Sequence, residues 1–178
     1  TADRPGRYIG ARVGFAAGPF DIAGSYGQTR FALGSAVTGQ PASALVAGDK
    51  VDTMNIGASF DFGFMKLLGY VERDSLERSD ETLASISANF RFGQGEFRIG
   101  YDRSKYDADS AAGGTDSTVH QAKATYQYNL SKRTAMYGTV SWLDNKNGTS
   151  SVSLPGGNGT AGAGGTSKGF ELGVRHFF

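Results

Sequence analysis

The chain has two histidines, His120 and His176, and no cysteine. His120 follows Asp116 and Ser117, so a carboxylate, a hydroxyl and an imidazole fall within one short segment. Those are the groups of a hydrolytic triad, provided that the fold turns them towards one another. "GAGGTSKG" (162–169) has the glycine content of a phosphate loop, but its spacing is not Walker spacing and no helix follows. "DNKNG" (144–148) offers calcium-type oxygen ligands without the distal glutamate, so a turn is the expectation there. "NGT" at Asn147 and Asn158 is a formal glycosylation sequon of little weight. Without cysteine there is no disulfide framework or thiolate metal site. No cofactor, metal or catalytic centre is expected, and an enzymatic reading would need a catalytic group beside His120.

The remaining charges are more orderly. Ile9, Ala11, Val13 and Phe15 alternate with Gly10, Arg12 and Gly14. Ile56, Ala58 and Phe60 alternate with Asn55, Gly57, Ser59 and Asp61. Phe97, Ile99 and Tyr101 alternate with Glu96, Arg98, Gly100 and Asp102. Ala122, Ala124, Tyr126 and Tyr128 alternate with Gln121, Lys123, Thr125, Gln127 and Asn129. Period 2 is the signature of a strand with one apolar and one polar face. Nine such segments are expected, over 7–17, 20–31, 52–62, 64–75, 82–92, 96–107, 118–130, 133–144 and 168–178. Each is near the length that a tilted strand needs to cross a bilayer.

Composition points the same way. Among 178 residues there are 27 Gly, 12 Phe and 8 Tyr but only 4 Pro, and hydrophobic residues reach just 39%. Mean hydropathy is -0.32. This suits an all-β chain of alternating strands better than a helical bundle. A net charge of +1 gives no nucleic-acid footprint. No apolar run is long enough for a transmembrane helix, and "TADRPGRYIG" contains no signal peptide, as in a mature or truncated chain.

The expected connections alternate in kind. Tight turns ("GP", "G", "GQG", "SK") join segments 1–2, 3–4, 5–6 and 7–8, and the intervening joins are longer and polar. That sorting of loops by rim is the pattern of an outer-membrane up-and-down barrel. Phe15, Phe20, Phe60, Phe62, Phe64, Phe90, Phe92, Phe97, Tyr126 and Tyr128 gather near the tight turns. Tyr8, Tyr26, Tyr70, Tyr101, Tyr106 and Trp142 lie nearer the long connections. Two such bands read as interfacial girdles, against the alternative of aromatics packed inside a soluble sandwich. Bacterial barrels keep both chain ends on the short-turn side, whereas nine strands ending there must begin on the other rim. At least one preceding strand is therefore expected.

Three stretches carry a resemblance: "GRYIGARVGFAAGPFDIAGSYGQT", "YNLSKRTAMYGTVSWLDNKNG" and the closing "GFELGVRHFF". They resemble the C-terminal half of the general trimeric porins of Gram-negative bacteria, especially the β-proteobacterial branch. The resemblance implies a water-filled barrel of roughly sixteen strands, of which these nine would be the last, assembled as a homotrimer in the outer membrane among lipid and lipopolysaccharide. It also implies recognition by the barrel-assembly machinery through a C-terminal strand ending in Phe. Phe178, with Phe170, Leu172, Val174 and His176 at alternate positions, matches that pattern, with histidine at 176 the departure. The constriction loop and the basic cluster facing it belong to the family's N-terminal half and are not carried over.

On that topology Arg12, Lys66, Arg91, Arg98, Lys123 and Arg175 face the pore, with Arg133 bordering a turn. Asp21, Asp61, Glu72, Glu96, Asp102 and Glu171 face them. The expected function is passive diffusion of small hydrophilic solutes and ions, with the mild anion preference that the resemblance implies. Arg12, Arg98, Lys123 and Arg175 are the expected contributors to that field. Each could instead be half of an ion pair in the wall, although Glu171 and Arg175 stand too far apart to pair directly. A barrel acting in adhesion through its long loops is the alternative.

Overall fold

A computed structural model of the chain describes residues 7–30, 50–76, 79–108, 115–146, 153–154 and 161–178. They form nine strands: β1 (Tyr8–Ala17), β2 (Phe20–Arg30), β3 (Lys50–Asp61), β4 (Met65–Leu76), β5 (Ser79–Phe92), β6 (Gly95–Asp107), β7 (Ser117–Asn129), β8 (Thr134–Lys146) and β9 (Thr166–His176). They make one antiparallel sheet in chain order, β1 to β9. Each pairs only with its sequence neighbours, and β1 does not meet β9, so the sheet is open with two free edges.

The tight turns lie where the sequence placed them. Gly18 (φ 56°), Gly63 (φ 89°) and Gly93 (φ 56°) occupy three of them in the left-handed region, where a Cβ is strained. The Asp61 carboxylate accepts the Gly63 amide at 2.8 Å and closes the β3–β4 turn. Ser131 Oγ accepts the amides of Arg133 and Thr134, fixing the β7–β8 turn. Arg133 therefore sits in the turn and its carbonyl accepts Phe177 N–H at 2.9 Å, which prolongs the β8–β9 ladder.

One connection departs from the expectation. β4 and β5 are prolonged until only residues 77–78 separate them, and Ser75–Asp80 and Leu76–Ser79 remain in register. The polar run there reads as loop, yet its charges pair across the ladder, Arg73 to Asp80 at 2.9 Å. A second departure concerns "GAGGTSKG", whose Thr166 and Ser167 precede the strand expected from 168 yet belong to β9. The sequons at Asn147 and Asn158 lie outside the described residues.

Register assigns every strand residue to a face. Ala11–Tyr26–Met54–Arg73 and Phe15–Ile22–Ala58–Gly69–Ile86–Tyr101–Ala122–Trp142–Lys168 are continuous rows on the apolar face. Among the described residues nothing covers this face. Val13 is 77% exposed, Ile86 54% and Phe170 82%, whereas the few buried apolar residues, Val51, Leu76, Ala135 and Leu143, all lie on the polar face. A soluble sandwich would show the reverse. Phe60, Phe90, Phe97, Tyr126 and Tyr128 form the expected aromatic band on the apolar face near the tight turns, with Phe60–Phe62 centroids 4.6 Å apart. The upper band is thinner than expected. Tyr26, Tyr101 and Trp142 are on the apolar face, but Tyr8, Tyr70 and Tyr106 are on the polar one.

Candidate functional site

The polar face is the candidate site, and cross-strand register builds it. Arg12 lies opposite Ser25, which lies opposite Asn55, which lies opposite Glu72. Ser25 Oγ donates to Asn55 Oδ1 at 2.8 Å, Asn55 Nδ2 donates to Glu72 at 3.3 Å, and the Tyr70 hydroxyl donates to the same carboxylate. Such rows of small polar side chains hold each carboxylate in place, because neighbouring strands are only about 4.8 Å apart. Further along, Thr53 donates to Asp74 at 2.5 Å, Ser104 to Glu81 at 2.7 Å and Tyr137 to Glu171 at 2.7 Å.

All six strand cations expected on this face are there. Three are held by carboxylates: Arg91 by Asp61 at 3.0 Å, Arg98 by Glu96 at 2.5 Å and Lys123 by Asp102 at 2.7 Å. Asp102 also accepts Ser85 Oγ at 2.5 Å. Among the described residues, Arg12, Lys66 and Arg175 have no such carboxylate within ion-pair distance. Lys66 stands opposite Asp61 in register, but that carboxylate is taken by Arg91. Arg175 lies over the Phe177 ring at 5.2 Å and not on Glu171. Arg12 and Lys66 flank one concavity of about 450 Å³ whose floor is Ala23 and Gly57, with Asp21, Asn55 and Tyr70 on its sides.

Sequence reasoning missed two wall residues, Asp74 and Glu81, which extend the polar face towards the long-connection rim. Asp74 lay inside the expected strand over 64–75, in alternation with Lys66 and Glu72, whereas Glu81 lay in the stretch read as loop. The described wall thus carries eight carboxylates (Asp21, Asp61, Glu72, Asp74, Glu81, Glu96, Asp102, Glu171) and six cations. The apolar face has charge as well, confined to the same rim. Arg30, Lys50, Arg73, Arg103, Lys105, Lys146 and Lys168 stand there with Asp52, Asp80, Asp107 and Asp144.

Among the described residues, neither histidine meets both a serine and a carboxylate. His120 is on the apolar face, its Nδ1 2.5 Å from the Tyr101 hydroxyl, while Ser117 is on the polar face and Asp116 accepts the Ala108 amide. His176, at the opposite rim, bonds Thr134 Oγ1 at 2.9 Å and meets the Phe178 ring edge-on. Phe170, Leu172, Val174 and His176 share the apolar face of β9.

Comparison with known proteins agrees with this geometry. The sequence pattern of the Gram-negative porins matches residues 1–148. The chain is 32% identical over 188 aligned residues to outer membrane porin protein 32 of Delftia acidovorans, covering all of this chain and 48% of that protein. It therefore spans about half the length of that relative. Among solved structures, the outer membrane protein OmpT of Vibrio cholerae, in its trimer form, superposes with a TM-score of 0.63 at 15% identity. The superposition covers 94% of this chain and 54% of that one. The chain belongs to the Gram-negative porin family.

Proposed function

We propose that these nine strands are part of the wall of an outer-membrane channel through which small hydrophilic solutes and ions diffuse passively. One observation carries this reading: a continuous uncovered apolar face backs onto a continuous polar face lined with held charges. In lipid the first needs no protein layer, and the second needs water. Unpaired strand edges do not persist within hydrocarbon, so the edges of β1 and β9 call for further strands that close the wall. The resemblance supplies a count of roughly sixteen.

The trimer form of the OmpT structure supports a homotrimer. The outward apolar residues of β9, ending in Phe178, support recognition by the barrel-assembly machinery. Selectivity should be weak. The wall count contains no positive excess, so a mild anion preference would have to come from the cations that no carboxylate holds, Arg12, Lys66 and Arg175. The test is a planar bilayer containing the native protein. Stepwise ohmic current, in events of three equal levels, is expected, and a folded, inserted protein that passes no current would refute the channel.

A further inference from the structure

Seven of the eight wall carboxylates are engaged by a partner. Asp61 holds Arg91 and the Gly63 amide, Glu96 holds Arg98 and Asp102 holds Lys123. Glu72, Asp74, Glu81 and Glu171 each accept a side-chain hydroxyl. Among the described residues, Asp21 is the exception: it is exposed, and no hydrogen bond or ion pair reaches it. It lines the concavity of about 450 Å³ that Arg12 and Lys66 flank. All three charges around that one hollow therefore lack an ion-pair partner among the described residues.

The sequence of β1 to β4 makes the hollow. Gly14, Ala23 and Gly57 lie side by side in register, and their lack of bulk sinks the polar face there. The Tyr70 ring leans over Gly57 and closes one side, and Leu68, exposed on this face, adds an apolar patch. Asp21 lies between the two cations. It is four residues along β2 from Ser25, which faces Arg12. Across the ladder it faces Ser59, which faces Leu68, and Leu68 is two residues from Lys66. Strand spacing and rise put the Asp21 Cα about 14 Å from that of Arg12 and about 12 Å from that of Lys66. The long guanidinium and ammonium arms close most of each gap, which leaves room for one small ionic group on either side of the carboxylate.

Two cations with a carboxylate between them are matched by two carboxylates with an ammonium between them. An acidic α-amino acid has that pattern, and its one net negative charge meets one net positive charge in the hollow. A plain anion does not fit as well, because Asp21 repels it. The guanidinium fork takes one carboxylate through two parallel hydrogen bonds, and the Lys66 ammonium takes the other as a point charge. We propose that this hollow is a solute-binding subsite for acidic α-amino acids, with the ammonium on Asp21, the carboxylates on Arg12 and Lys66 and the methylenes against Leu68. The proposal rests on the channel reading given above for the solute's route, and it makes Asp21 a specificity-determining residue of the wall.

The test adds L-glutamate to the native protein in a planar bilayer and, in parallel, titrates the same protein in detergent by calorimetry. L-Glutamate should interrupt the current and release heat, both saturably. Glutarate, the same chain without the ammonium, should bind wild type about tenfold more weakly, the loss expected for one charge-assisted contact. Asp21→Asn should bind L-glutamate about tenfold more weakly than wild type and glutarate no more weakly. Arg12→Gln and Lys66→Gln should weaken both ligands, and Lys132→Gln, in the β7–β8 turn, neither. Equal affinity of wild type for glutarate and L-glutamate, or wild-type L-glutamate affinity in Asp21→Asn, would overturn the subsite. Displacement of L-glutamate by chloride at constant ionic strength would reduce it to a general anion site and overturn it too. A protein that conducts but binds no L-glutamate by either readout sinks only this proposal, and one that binds L-glutamate in detergent but passes no current sinks only the channel.

Discussion

Tyr137 bridges two strands through a glycine. Its ring lies over Gly173 on β9, so close that a Cβ there would overlap it, and its hydroxyl reaches Glu171 at 2.7 Å. Tyr8 covers Gly10 and Gly27 in the same way at the far end of the sheet. The missing side chain thus creates the site into which the aromatic packs, and the aromatic in turn holds a wall carboxylate. Gly173→Val should expel the ring, release Glu171 and destabilise the folded protein by about 1–3 kcal/mol. Gly69→Ala meets nothing within 4 Å and should be neutral or slightly stabilising. Urea unfolding from lipid vesicles measures both. At this scale alternation alone showed that Arg12, Lys123 and Glu171 share a face. It could not show that Lys123 is held by Asp102 while Arg12 is not, because pairing depends on register, and register is set jointly by turns and ladders.

The strands were the most legible elements, because each apolar face is continuous for four or more alternate positions and each tight turn is marked by Gly, Pro or Ser-Lys. What misled was charge at the ends. The segment from Leu76 to Glu81 has the composition of a loop, yet Leu76 and Ser79 stay in register and Asp80 meets Arg73 across the ladder. Rim strands stand above the hydrocarbon, so polarity there no longer marks the end of pairing. Tyr8, Tyr70 and Tyr106 misled in a related way, since position along a strand does not reveal the face. Adjacent residues in mid-strand give the sharpest test of the two faces. Ile86 points outwards and is 54% exposed, and Ser87 points inwards opposite Gly100. Ile86→Arg should destabilise the inserted protein by about 2–4 kcal/mol, the value for a cation on the lipid face near the midplane, and Ser87→Arg by about 1 kcal/mol or less. Equal losses, measured in the same vesicle assay, would mean that the face assignment is wrong.

For the whole molecule, the sorting of charge between faces matters more than net charge. In a chain of net +1, the described residues place eight carboxylates against six cations on the polar wall and seven cations against four carboxylates on the apolar-face rim. Net composition could not reveal this, and Glu81, Lys50 and Lys146 lay where connections were expected, beyond the ends of the strands as read from alternation. Closure and constriction were illegible for another reason: both depend on what pairs with the free edges of β1 and β9. Ion selectivity is the property that integrates the wall. Lys123 and Asp102, 2.7 Å apart, act as a short dipole whose field cancels beyond a Debye length of about 8–10 Å. Among the described residues Arg12 has no carboxylate partner and stands beside a concavity, so in the proposed channel it would raise local anion concentration. Arg12→Gln should move the reversal potential in a salt gradient towards cation selectivity, and Asp102→Asn with Lys123→Gln should leave it unchanged. If the double variant moves it as far as Arg12→Gln does, the Lys123–Asp102 pair is open in the conducting protein and Lys123 belongs among the free cations.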